Sequence, residues 1–138
     1  GWNAGVRKNM AVVNDRGLIG EVTRVGGSTS VVQLLLDRSV GAAVRLANCR
    51  ADGITSWGGG KHLMIEGIAS ATPVHLGETV MTSGLDGVFP SGIPVGQVIR
   101  TQRAGENLFL EIEVETAADF AAIEEIFVVW DNGSHQVP

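Results

Sequence analysis

The sequence predicts an all-β protein: two small β-barrel-like domains with one short helix near the C-terminus. Three observations carry that expectation. Residues 108–115 alternate, with Leu108, Leu110, Ile112 and Val114 on one face and Glu111, Glu113 and Glu115 on the other, and a period of two marks a half-buried strand. Of the 138 residues, 19 are glycine, with no three-residue period; a collagen-like chain is excluded, and the surplus belongs in turns, bulges and close backbone approaches. Clusters of turn-forming residues then cut the chain into short extended runs.

In chain order, strands are expected at 10–13, 18–25, 31–36, 42–48, 62–68, 79–82, 95–101, 108–115 and 126–130. Between them stand Asn14-Asp15-Arg16-Gly17, Gly26-Gly27-Ser28, Trp57-Gly58-Gly59-Gly60, Arg103-Ala104-Gly105-Glu106 and Asp131-Asn132-Gly133, all suited to tight turns. Strands this short at such spacing fit small barrels or a sandwich. The helix is expected after Thr116, which can cap it; Asp119 completes a capping box, and Phe120 and Ile123 share a face.

An internal echo sets the domain organisation. Residues 18–24 lie over residues 94–100 at an offset of 76, 32–36 lie over 108–112, and 10–13 parallel 79–82 ahead of the second unit. Two β modules built alike, with a crossover near residues 70–76, give domains at 1–72 and 73–138, and the repeat leaves room for strand exchange between them.

Composition removes several classes of function. Hydrophobic residues make up 44% and mean hydropathy is +0.20, too apolar for disorder. A net charge of −5 argues against nucleic acid as partner. The charge is uneven, +4 over residues 1–50 and −9 over 51–138. Two solvated surfaces explain this, as does an electrostatic handle for head-to-tail packing or a partner. Cys49 is alone, so it forms no intramolecular disulfide and reads as a small buried hydrophobe. No apolar run approaches the ~18–20 residues of a membrane helix. The opening Gly-Trp-Asn-Ala-Gly lacks an initiator Met, as expected of a fragment whose targeting segment lies elsewhere.

Residue patterns for catalysis are weak. His62, His75 and His135 stand far apart, so no metal is expected, and Gly58-Gly59-Gly60-Lys61 lacks the Ser or Thr and the earlier glycine of a phosphate loop. No cofactor is expected, since no G-x-G-x-x-G follows a strand and opens a helix. Glu111, Glu113 and Glu115 read as an acidic strand face that discourages pairing with other chains. The alternative function is a small two-barrel serine-type hydrolase, drawing on His62 or His75, Asp86, and Ser83 or Ser91. Neither serine sits in a recognisable nucleophile setting.

The densest stretch is 77–98, a strand, a glycine-laden bend and a return strand. Pro90 and Pro94 push Phe89 and Ile93 towards extended geometry, while Gly84, Gly87, Gly92 and Gly96 permit close approach or positive φ. Here Thr82-Ser83-Gly84-Leu85, Gly87-Val88-Phe89-Pro90 and Gly92-Ile93-Pro94-Val95-Gly96 resemble the signature of the rod shape-determining protein MreC family. Gly17-Leu18-Ile19-Gly20 with Val22 and Val25, Ser30 with Val32, and Leu35-Leu36-Asp37 are similar too, as is the ending from Ala118-Asp119-Phe120 to Ile126-Phe127-Val128-Val129. Asp86 departs from the family, which usually has a second glycine there.

The resemblance implies a non-enzymatic scaffold of the cell-wall elongation machinery. It would maintain cell shape outside the cytoplasmic membrane, anchored through an N-terminal helix that this chain lacks. Implied partners are a penicillin-binding transpeptidase, MreD, MreB across the membrane, and further copies of itself. Phe89 in the bend and Phe109 on a charged strand face are the candidate partner contacts; Gly84, Gly87, Pro90, Gly92, Pro94 and Gly96 form the structural signature loop.

Overall fold

A computed structural model of the chain describes residues 1–103, 108–123 and 125–129. Within them a single 3-10 turn, Trp2–Ala4, precedes ten strands: β1 (Ala11–Val13), β2 (Leu18–Val25), β3 (Ser30–Leu34), β4 (Ala43–Leu46), β5 (Asp52–Ser56), β6 (Leu63–Glu66), β7 (Thr79–Thr82), β8 (Pro94–Arg103), β9 (Leu110–Thr116) and β10 (Phe127–Val129). The turns at 104–106 and 131–133, Trp130 and His135 lie outside the described residues.

Six strands close a barrel in the order β4-β5-β6-β9-β8-β7, and four form a sheet in the order β10-β1-β2-β3. Neighbours pair antiparallel throughout. The sheets do not divide the chain near residue 72. Strands β4–β6 precede that point and close the barrel with β7–β9, while β10 crosses back to pair with β1.

The echo between the two halves is a structural repeat of bulged meanders. In the sheet, Val12 pairs with Gly20 and the register slips before Val13 meets Leu18. In the barrel, Val80 pairs with Gly96 and slips before Met81 meets Pro94. The second hairpins also match, with bulges between Val22 and Arg24 and between Val98 and Arg100. A Cβ on Gly20 would be driven into the Gln33 carbonyl oxygen, and one on Gly96 into that of Glu115; only glycine lets the neighbouring strand come so close. The third strands align differently from the sequence overlay. Val32 and Val114 hold the corresponding places opposite Val22 and Val98, because the hairpin between β8 and β9 is longer.

Two cores stabilise this arrangement. The larger fills the barrel with Val44, Leu46, Leu63, Ile65, Val80, Val98, Ile112 and Val114, and continues into the sheet through Ala11, Leu18 and Leu35. The other face of the sheet buries Val12, Ile19 and Val22 beneath Ala118, with Phe120 and Ile123 packed against them. Alternation along β1 and β2 thus serves two cores, one on each face.

The helix expected after Thr116 does not form among the described residues. Thr116 ends β9 opposite Gly96, and its hydroxyl donates to the Ala118 carbonyl at 2.8 Å. Asp119 accepts from the Ala121 N–H at 3.0 Å, closing a local turn. Burial of Ala118 and packing of Phe120 hold the segment as cover for the sheet, and tertiary contact overrides a weak local preference. One strand escaped the sequence pattern. In β5 the weak formers Asp52 and Gly53 lead into Ile54, and pairing with β4 and β6 makes the strand.

Candidate functional site

The signature loop joins β7 to β8. Gly84, Gly87 and Gly92 adopt φ of 78°, 70° and 89°, and the bend they permit is tied down by side chains. Thr82 accepts from the Ile93 N–H at 2.9 Å through its hydroxyl, which in turn donates to the Pro90 carbonyl. Pro94 opens β8, a strand position where its missing N–H is tolerated. Asp86 accepts from the N–H groups of Val88 at 3.0 Å and Phe89 at 3.2 Å with one oxygen, and from Ala43 at 2.9 Å with the other. The departure from the family pattern therefore fastens the bend to the start of β4.

Of the two candidate partner contacts, Phe89 is 3% exposed and belongs to the barrel core. Its ring is packed in that core and is not exposed to a partner. Phe109 is 53% exposed and Leu108 beside it 76%. Phe109 bridges to Ala69 across an isolated antiparallel contact, which sets both side chains along an open groove with Met64, Gly67, Glu66 and Glu111. Ile54, opposite Glu66 on β5, is exposed as well. The lone aromatic among glutamates signalled Phe109; the exposure of Leu108 ran against its place in the apolar alternation.

The acidic face of β9 is present and partly neutralised. Glu113 lies 3.6 Å from Arg100 and 3.8 Å from His62, and Glu111 lies 3.9 Å from Arg100. The residues weighed for hydrolysis are engaged separately. The Ser83 hydroxyl accepts from the Leu85 N–H at 3.3 Å, the His75 N–H donates to Glu78, and both oxygens of Asp86 are taken by backbone. No group of three metal-ligating side chains gathers among the described residues.

Sequence reading passed over Glu78, a buried carboxylate that accepts from three backbone N–H groups. It is 3% exposed. One oxygen accepts from the N–H groups of Asn48 and Cys49, each at 2.8 Å, and the other from His75 at 3.1 Å. Burial alone would raise its pKa; the three backbone donors outweigh that and hold it below the ordinary 4.5. Burial likewise pushes the neighbouring Cys49 thiol up, as suits a packed, unreactive cysteine.

A family model described as the rod shape-determining protein MreC, barrel core, matches residues 1–130. The chain belongs to the MreC family. It is 33% identical over 100 residues to the cell shape-determining protein MreC of Caulobacter vibrioides (strain NA1000 / CB15N), covering 72% of this chain and 29% of that protein. The fold matches a crystal structure of MreC from Pseudomonas aeruginosa with a TM-score of 0.88 at 25% identity, over 94% of this chain and 84% of that one. It also matches a complex between penicillin-binding protein PBP2 and MreC from Helicobacter pylori, with a TM-score of 0.75 at 19% identity, over 90% of this chain and 80% of that one. The last is a likeness of fold. The chain spans 29% to 38% of the length of three curated MreC relatives, so it corresponds to their barrel portion. Among its described residues no helix is long and apolar enough to cross a membrane.

Proposed function

We propose that this chain is the extracytoplasmic part of an MreC scaffold, which maintains cell shape by docking a penicillin-binding transpeptidase and catalyses no reaction itself. In the full-length protein an N-terminal membrane helix anchors it, MreD and MreB are further partners, and copies of the scaffold self-associate. The observation that carries the reading is the exposed Leu108–Phe109 groove on a barrel of MreC family fold, the family in which a PBP2 complex is known from Helicobacter pylori. Large apolar side chains open to water beside a groove are the usual mark of a protein-binding surface.

A pull-down with the cognate transpeptidase ectodomain tests this. Wild-type chain is expected to retain it, and Phe109→Ser with Leu108→Ser to weaken capture at least about tenfold, as loss of a central anchor does. Absence of binding by wild-type chain sinks the proposal; equal capture by the double variant moves the contact off the groove.

A further inference from the structure

A cleft at the seam between sheet and barrel is lined by side chains of both charges. It measures about 520 Å³ and is bordered by Arg16, Lys61, Glu115 and Asp119 over an apolar floor of Leu36 and Phe120. That size suits a small ligand. Among the described residues none of the four charged groups is within ion-pairing distance of an opposite charge, although all border one cavity.

The backbone beneath each charge is braced. Arg16 rides on a turn in which Asn14 accepts from the N–H groups of Arg16 at 2.9 Å and Gly17 at 3.1 Å. Gly17 is pressed so closely to the Pro94 carbonyl and Ala117 that a Cβ there would collide with them, which fixes that turn against the end of β9. Lys61 stands on the β5–β6 hairpin, whose tip is closed by the Trp57 indole N–H donating to Gly60 at 2.7 Å, with Arg38 stacked on the same ring at 5.6 Å. Glu115 projects from β9 and Asp119 from the turn after it. Charges of both signs thus stand around one cleft beside the apolar side chains of Leu36 and Phe120, a lining that can pair with both ends of a zwitterion.

We infer that this cleft binds a short zwitterionic peptide. Its carboxylate would lie between Arg16 and Lys61, its ammonium between Glu115 and Asp119, and its aliphatic side chains on Leu36 and Phe120. The site is separate from the Leu108–Phe109 groove and does not depend on transpeptidase docking.

Trialanine is a suitable probe, titrated into isotope-labelled chain and followed by amide chemical shifts. Millimolar binding with shifts centred on 60–62 and 115–121 is expected. N-acetyl-trialanine and trialanine amide should each bind about two- to fivefold more weakly, the worth of one exposed ion pair. Glu115→Gln, an exposed change that leaves the spectrum dispersed, should bind free and acetylated peptide more nearly alike. Arg16→Gln should do the same for free and amidated peptide. No shifts in the cleft, shifts centred elsewhere, or end-blocked peptides that bind as well as free trialanine would overturn the inference.

Discussion

Glu78 shows how one buried side chain organises two loops. Its carboxylate gathers N–H groups from the β4–β5 turn and from the segment before β7, and so ties the two together. Glu78→Gln is expected to lower stability by about 1–3 kcal/mol at pH 7. Since the native pKa lies below 4.5, the charge contributes fully above that value. Its contribution is lost as pH falls through the lower native pKa. Urea unfolding should therefore show the gap between wild type and Glu78→Gln closing in acid; a pH-independent gap would remove the charge from the explanation. Glu21 carries the opposite sign. Burial and the nearby Asp86 raise its pKa, so its ionised form costs stability at neutral pH and that cost disappears as pH falls. The same measurement should find Glu21→Gln no less stable than wild type at pH 7. Neither environment was legible in the sequence. A glutamate before a strand looks solvated, and two of the three partners of Glu78 lie about thirty residues away.

At the scale of elements, the two bulged meanders are the feature the sequence carried best. The Gly20 and Gly96 positions could be superposed from residues alone, and their shared geometry explains why: both strands need a glycine where a neighbour's carbonyl comes close. Gly96→Ala and Gly20→Ala are each expected to cost about 1–3 kcal/mol through overpacking, measured by chemical denaturation. Gly58→Ala, which meets open space, should stay within about 0.5 kcal/mol. Equal costs at all three positions would mean that close approach is not what selects glycine. The helix after Thr116 misled because a capping pattern is local, whereas Ala118 and Phe120 answer to the sheet they cover. Strand β5 was hidden by Asp52 and Gly53, whose extended form comes only from partners on both sides. Phe109 could be singled out as the odd residue on its face, but Phe89 could not be placed, since an aromatic in a bend points inward or outward with the same sequence.

In the whole molecule, sheet and barrel share a core. Leu18 and Leu35 reach from the sheet into the cluster that fills the barrel, so the two are expected to unfold together. Leu18→Ala should cost about 2–5 kcal/mol and lower hydrogen-exchange protection in β7–β9 as well as in the sheet. Barrel amides that keep full protection would show two independent units instead. The pairing of β1 with β10 also bears on how the molecule comes into being. Strand β1 leaves the ribosome long before its outer neighbour exists, so the sheet cannot be finished during early synthesis. The barrel strands β4–β9, contiguous in the chain, can assemble first. Strand β1 must then wait, edge open, until β10 emerges. A chain halted between β9 and β10 would hold β1 against β2 and leave its other edge unpaired.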